Sequence, residues 1–311
     1  MLKLNQEHEL LMYAAIKKEL VTTDSTLNAN KIKESLTPTA LKTITSEFKE
    51  NPEKIIKVMI ENLRAISTNN SYSEKEQEKK LDLYYNAWVD LLIRFDDKLF
   101  PRTNPSRVYS GIPDYIPEGL VDMGFNPSLN ERNSREKIYI EKERLLRGSK
   151  KLFFYALKNG LDEKQTIRLI ADAVYQKMPL DRVNRGNNFG DKTIKLLEDI
   201  IQSPEPKAVC RHQSLTAQVL IQSMGIVSRL LKCNVYSDTT LLGAHSANLV
   251  NFQNNWYLLD ITIPLKINGE LKFAFAIKYE KIDTHKNNYE WKNPTTNMIY
   301  KSRNDMFYRI K

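Results

Sequence analysis

The sequence predicts an α+β fold, a helical first third followed by a part in which one helix packs on an antiparallel sheet. Three observations carry this. Residues 38–96 hold apolar side chains at spacings of three and four, the period of one helix face. Residues 101–130 then hold five prolines and three glycines, a density that cannot continue the helices. From Ile226 to Ile277 the apolar residues come in short runs divided by Asn, Asp and Gly, the pattern of strands and tight turns. The expected organisation is a helical domain over 1–100, a structured connector over 101–130 and a second domain over 131–311.

The helical part can be justified element by element. Residues 2–20 read as an amphipathic helix with Leu4, Leu10, Leu11, Ala14, Ala15 and Leu20 on its apolar face. Glu7, Glu9 and Glu19 lie within it, so it is not a secretory signal. The expected location is the cytoplasm, or outside the cell by a route that needs no such signal. After a polar stretch, Thr37-Pro38 starts a helix, with a hydroxyl cap and proline in the first turn. Its stripe is Leu41, Ile44 and Phe48. Asn51-Pro52-Glu53 starts the next, with Ile55, Ile56, Met59, Ile60, Leu63 and Ile66 inward. Ser73-Glu74-Lys75-Glu76 is a capping box. It opens a long helix with Leu81, Tyr84, Trp88, Leu91, Leu92 and Phe95. No catalytic chemistry is visible in this bundle.

The connector carries Tyr109, Ile112, Tyr115, Ile116, Leu120, Met123 and Phe125, too many apolar groups for a free tether. It should pack on the second domain. Residues 131–158 read as a charged helix ended by Gly160. Asp162-Glu163-Lys164-Gln165 opens another that runs to Met178, before Pro179. A loop over 180–190 and a helix over 191–202 follow, and Pro204-Glu205-Pro206 leads into the next helix. An Asn268-Gly269 turn precedes a strand from Leu271 to Ile277. The C-terminal 30 residues are polar and aromatic and predict nothing.

The chemistry lies between Ala208 and Pro264. Cys210 stands at a helix start, and the helix is stopped by Gly225. His245 and Asp260 follow on two successive strand-like runs. A thiol is a poor nucleophile until it loses its proton, and the first turn of a helix stabilises the thiolate. A neighbouring imidazole takes the proton and later gives it to a leaving group. A carboxylate holds that imidazole in the useful tautomer. Whether His245 and Asp260 meet depends on the hairpin turn. With Gln253-Asn254 as a two-residue turn, Asp260 lies opposite Ala247, and His245 is a diagonal neighbour roughly 7–8 Å away at the backbone. With Asn254-Asn255 as the turn, Asp260 lies opposite Leu249 and about 13 Å from His245. Asn tolerates the left-handed backbone of such turns, so the sequence permits both.

Cys210-Arg211-His212-Gln213 before a helix, Gly225-Ile226 after it, His245 with Asn248 three residues on, and Trp256 to Thr262 together resemble the transglutaminase-like superfamily. The resemblance covers about 60 of the 311 residues closely and about 180 in general layout. It implies a papain-like fold for 131–311, with the nucleophile helix on an antiparallel sheet. It also implies a catalytic triad of Cys210, His245 and Asp260, and acyl transfer through a thioester on amide bonds of protein or peptide, with no cofactor. Protease, deamidase, peptide:N-glycan-cleaving and transglutaminase activities all belong to that chemistry. Ser246-Ala247 and Ile261-Thr262 depart from the family's frequent Ala-Trp and Pro-Thr, which leaves the substrate open. A catalytically inactive module used for protein binding is the alternative. A helical front part without a signal suits a bacterial effector, by analogy alone.

The remaining histidines, cysteines and loops point elsewhere. Cys210, His212, Cys233 and His245 could be zinc ligands, but Cys233 and His245 have eleven residues between them and no second closely spaced pair. His212 reads as helix surface or cleft wall. Arg211 could reach a nearby carboxylate or be solvated. His8 and His285 read as surface. Cys233 reads as a strand thiol, and a disulfide to Cys210 would disable the nucleophile, which favours a reducing compartment. The Cys210 backbone N–H is the natural first oxyanion donor; Gln176, Asn184, Asn187 and Asn188 are candidates for the second. Gly186-Asn187-Asn188-Phe189-Gly190 lacks the Lys-Ser/Thr of a phosphate loop. Net charge is +9. Residues 1–150 are nearly balanced, with 24 basic against 23 acidic, whereas 151–311 hold 23 against 15. That surplus suits an acidic partner. The absence of a nucleic-acid motif argues against nucleic acid, and no apolar run is long enough for a membrane span.

Overall fold

The computed structural model describes residues 38–99, 115–125, 135–180, 194–202, 208–253, 255–267, 270–276, 280–283, 288–293 and 296–302. The architecture is mixed helix and sheet, the α+β class that the sequence predicts. Contacts divide the chain into two units. The first draws on Met1–Thr103, Lys142–Asp162 and Gln222–Gly225; the second draws on Asn104–Glu141, Glu163–Ile221 and Ile226–Lys311. No helix among the described residues is long and apolar enough to cross a membrane.

The first unit is helical. It contains α1 (Pro38–Glu50), α2 (Pro52–Ser67), α3 (Glu74–Leu99), α4 (Lys142–Gly148) and α5 (Lys150–Lys158). The starts are chemical. Asn51 Oδ1 accepts the Lys54 N–H at 3.2 Å, with Pro52 in the first position of α2. At α3 the Ser73 N–H donates to Glu76 Oε2 at 3.0 Å and the Glu76 N–H to Ser73 Oγ at 3.4 Å, a reciprocal capping box. Inside, Phe48 stacks on Phe95 with ring centroids 4.4 Å apart. Trp88 packs edge-on to Phe153. The buried Tyr85 hydroxyl donates to the Leu146 carbonyl at 2.7 Å. Lys142 and Asp96 form a fully buried ion pair at 3.1 Å. Gly225 has φ +71°, and its N–H bonds the Gln222 carbonyl at 2.9 Å. A Cβ there would lie 2.7 Å from the Lys57 backbone, so both conformation and space require glycine.

The second unit carries two sheets. In the smaller, β1 (Gly119–Phe125) pairs antiparallel with β2 (Arg135–Ile140), and β3 (Ile194–Leu196) pairs parallel with β2. These strands differ from the sequence reading, which has a loop at β1 and helices at β2 and β3. At β2 the alternation is real: Ile138 and Ile140 are buried while Lys137, Tyr139 and Glu141 are half-exposed. The charged residues around so short an alternation imitate a helix. Then come α6 (Glu163–Lys177), α7 (Leu197–Gln202) and α8 (Cys210–Ser223).

The larger sheet holds β4 (Ser228–Ser237), β5 (Thr240–Phe252), β6 (Asn255–Ile267), β7 (Glu270–Ala276), β8 (Glu280–Asp283), β9 (Asn288–Lys292) and β10 (Met298–Ser302). Its order is β7-β6-β5-β4-β10-β9-β8, antiparallel throughout. The C-terminal stretch is thus structural, since β10 lies beside β4 at the sheet's centre. An apolar cluster of Leu231, Cys233, Val235, Ala247, Leu258 and Tyr300 forms on these strands. The expected helix at 2–20, the polar stretch after it and most of the connector lie outside the described residues.

Candidate active site

Cys210 is the first residue of α8 and is half-buried, whereas everything from His212 to Ile226 is buried. The start is fixed locally. The Val209 carbonyl accepts the His212 N–H at 2.9 Å and the Gln213 N–H at 3.2 Å. The Val209 N–H in turn donates to His212 Nδ1 at 3.2 Å. His212 is therefore a fully buried group at the helix start and not helix surface. The thiol sits where the helix presents its first turn of N–H groups.

A helix buried on all sides must satisfy its polar side chains internally, and here those bonds tie it to the sheet. The Asn248 amide of β5 donates to the Ser214 carbonyl at 2.9 Å and to Gln218 Oε1 at 3.0 Å. Ser214 and Ser246 share a hydrogen bond of 2.7 Å. The Thr262 hydroxyl of β6 donates to Gln213 Oε1 at 2.7 Å, and the Gln213 amide donates to the Met178 carbonyl at 2.7 Å. These bonds set the distance from Cys210 to the strands that carry His245 and Asp260. Gln213, Asn248 and Thr262 belong to the motifs already quoted, and their part in this tie is what sequence reasoning missed.

The hairpin takes the register that joins the two residues. Phe252 faces Asn255, so Gln253 and Asn254 connect the strands, and Gln253 has φ +51°. The ladder runs back to Asn248 opposite Leu259, which sets Asp260 beside Ala247. His245 Nε2 lies 2.9 Å from Asp260 Oδ2. The Cys210 thiol interacts with the same ring. With Nε2 engaged, Nδ1 is the ring nitrogen left for the thiol. Beyond Asp260 the pairing of β6 with β7 is irregular, and the bent backbone turns the Thr262 and Ile263 N–H groups onto Asp260 Oδ1 at 3.0 and 3.3 Å.

Asp260 has one more partner. The Tyr300 hydroxyl, from β10, donates to Oδ2 at 2.8 Å. Nothing local to Tyr300 in the sequence signals this contact.

The electrostatics follow. Burial alone would push the His245 pKa down. The Asp260 charge, the hydrogen bond to it and the Cys210 contact outweigh burial and hold the ring well above the ordinary imidazole value. For Asp260, burial disfavours the charge. The His245 charge and the hydrogen bonds from His245, Tyr300 and the Ile263 N–H outweigh it, so the carboxyl stays below its usual range. The Tyr300 phenol is driven up, first by burial and then by the Asp260 charge, so it remains a donor. Burial lowers Arg211 to about 10. Cys233 is buried opposite His245 on β4, its thiol 3.8 Å from the His245 carbonyl oxygen. Among the described residues no three His, Cys, Asp or Glu side chains converge as metal ligands would. Gln176 is exposed on α6, while Asn184, Asn187, Asn188, His8 and His285 lie outside the described residues.

No protein-family model matches the chain, and no curated protein does. Among solved structures, part of the chain is similar to the crystal structure of a candidate cysteine protease from Cytophaga hutchinsonii, with 18% identity and a TM-score of 0.26. The match covers 35% of this chain and 34% of that one, about a third of either. A likeness at that score carries no argument about the fold or the reaction.

Proposed function

We propose that the second unit is a transglutaminase-like thiol site that transfers acyl groups from amide bonds of a protein or peptide. Cys210 is the nucleophile, His245 the acid and base, and Asp260 the residue that orients the ring. One observation carries the reading: an imidazole that interacts with the thiol at the first residue of a buried helix has its Nε2 2.9 Å from a fully buried carboxylate.

Each group has one task. The Cys210 sulfur attacks the amide carbonyl carbon, and the carbonyl oxygen takes the negative charge. The Cys210 backbone N–H, at the helix start, is the first donor to that oxygen. The His245 imidazolium gives its proton to the amide nitrogen, the C–N bond breaks, and the amine or ammonia leaves. A thioester remains. His245, now neutral, takes a proton from the acceptor, whose oxygen or nitrogen attacks the thioester and breaks the C–S bond. Water as acceptor gives hydrolysis or deamidation; a lysine amine gives a cross-link. Asp260 neither takes nor gives the proton.

Two measurements test this. Iodoacetamide should label Cys210 of the folded protein in preference to the buried Cys233, and preferential labelling of Cys233 would sink the site. Mass spectrometry of glutamine-containing peptides should then show a gain of about one dalton for deamidation, loss of ammonia with a cross-link for transamidation, or fragments for proteolysis. Cys210→Ala should abolish whichever change is seen.

A further inference from the structure

We propose that Tyr300 is a positioning residue of this site: its hydroxyl clamps the Asp260 carboxylate on the oxygen that also holds the His245 ring, and so keeps the imidazole aimed at Cys210. The inference rests on the thiol-site reading above and extends it to a strand that carries none of its motifs.

In the sheet order β6-β5-β4-β10, the Tyr300 hydroxyl reaches Asp260 across two intervening strands, at 2.8 Å. The ring is held on the way. Tyr300 is 1% exposed and belongs to the cluster of Leu231, Cys233, Val235, Ala247 and Leu258. Its centroid lies 6.1 Å from that of His245. A buried tyrosine needs some acceptor for its hydroxyl, and Tyr85 shows the ordinary solution, the Leu146 backbone carbonyl. Tyr300 instead takes the one carboxylate that touches the imidazole. A hydrogen bond to an ionised acceptor is shorter and stronger than one between neutral groups.

The carboxylate is held at both ends. Oδ1 accepts the Thr262 and Ile263 N–H groups, and Oδ2 accepts the His245 ring and the Tyr300 hydroxyl. Torsion about the last bond of an aspartate is soft, so these donors decide the plane of the carboxylate, and that plane decides the tilt of the ring. The titratable groups around the pair are Cys210 from α8, Cys233 from β4 and His245 from β5. Without the phenol, Oδ2 keeps only its bond to His245, and Asp260 loses one of the bonds that hold it ionised.

The test uses the full chain. Tyr300→Phe keeps the ring in its cluster and removes only the hydroxyl. Iodoacetamide labelling of Cys210 near pH 6 should slow by about 3- to 10-fold. The Asp260 carboxyl carbon, followed by NMR and assigned with Asp260→Asn, should titrate at higher pH. In an Asp260→Ala background, which has no side-chain oxygen for the hydroxyl to hold, adding Tyr300→Phe should change the labelling rate by less than about twofold, because the hydroxyl acts only through the residue-260 side chain. Equal slowing in both backgrounds would mean that Tyr300 merely packs the sheet, and would overturn the proposal. So would an unmoved Asp260 titration. If Tyr300→Phe does not fold, 3-fluorotyrosine at position 300 keeps the packing and strengthens the donor. The Asp260 titration should then move to lower pH, and no movement counts against the proposal. The two readings fail separately. If wild-type Cys210 labels no faster than in His245→Ala, the thiol site itself is wrong and the Tyr300 role falls with it. If His245→Ala slows labelling and Tyr300→Phe does not, only the Tyr300 role is lost.

Discussion

Each unit buries a carboxylate against a basic side chain, and the two pairs are built for different ends. In the helical unit Asp96 meets Lys142 at 3.1 Å, with side chains 0% and 1% exposed. In the sheet unit Asp260 meets His245 at 2.9 Å, with side chains 0% and 9% exposed. By burial and distance they are near twins. The difference lies in the partner. An ammonium is a point charge, whereas an imidazole has a second nitrogen and a proton that it can exchange near neutral pH. At His245 the ring also interacts with a thiol on a helix start. A buried ion pair is thus not a site in itself. It becomes a candidate where the basic partner can hand a proton to a nucleophile.

The comparison breaks most visibly at the basic partner of the second pair. His245→Ala should lower turnover by about 10²- to 10⁴-fold, the range for losing a general acid and base, and should slow labelling of Cys210. Thermal melting should still show a folded protein, since the Asp260 carboxylate left behind keeps its bonds from the Thr262 and Ile263 N–H groups and the Tyr300 hydroxyl. Asp96→Ala should do the reverse. It removes one side of the buried pair at 3.1 Å, and breaking such a pair from one side costs about 3–5 kcal/mol of stability. Urea denaturation should register that loss, while Cys210 labelling in the folded fraction stays at the wild-type rate. A variant of Asp96 that disabled the thiol without unfolding would erase the distinction.

Legibility in the sequence divides along the same line. The helices of the first unit are readable because their signals are local: the proline and asparagine at 51–52 and the Ser73–Glu76 box sit beside what they start. The Cys210, His245 and Asp260 motifs are readable because the hairpin keeps two of them within 15 residues of each other. The choice of turn was not readable, because Gln253-Asn254 and Asn254-Asn255 are both acceptable chemically. The two registers differ by two residues, Asp260 opposite Ala247 or opposite Leu249, and a two-residue shift keeps every β6 side chain on the same face, so the apolar alternation does not separate them either. Least readable was Tyr300, which meets Asp260 across 40 residues of chain through a sheet order that no local pattern encodes. The strands at 135–140 and 194–196 were hidden for a related reason: each is short, and its partners lie in other segments.

Asp260→Asn should be milder than His245→Ala. An asparagine can still accept the ring N–H through its carbonyl oxygen, so orientation survives and the charge is lost. The expected reduction in turnover is about 10- to 100-fold, or about 1.4–2.7 kcal/mol of barrier. Labelling of Cys210 in the same variant separates the two contributions. A rate equal to that of His245→Ala would mean that charge, not orientation, is what the carboxylate supplies. No change at all would remove Asp260 from the site despite its contact with the ring.

The smallest expected effect is on stability across pH, and its sign follows from the two shifts. The folded protein holds the His245 proton more tightly than an unfolded chain does, where imidazole titrates near 6.5. That contribution is full below about pH 6.5 and declines as pH rises through the raised folded value. The folded protein holds the Asp260 proton less tightly than an unfolded chain, where the carboxyl titrates near 3.9. That contribution is full above about pH 4 and declines as pH falls through the lowered folded value. The pair therefore stabilises the fold most between about pH 4 and 6.5 and fades on the alkaline side. Other groups also titrate, so the useful quantity is a difference: the urea midpoint of the wild type minus that of His245→Gln, from about pH 5 to 10. Each tenfold gain in proton affinity corresponds to about 1.4 kcal/mol, which sets the scale of the effect. The difference should be largest at the acid end and shrink as pH rises. A difference flat over that range would mean that the folded protein does not hold the His245 ring charged, and the imidazolium would then have to form only when the thiol gives up its proton to substrate chemistry.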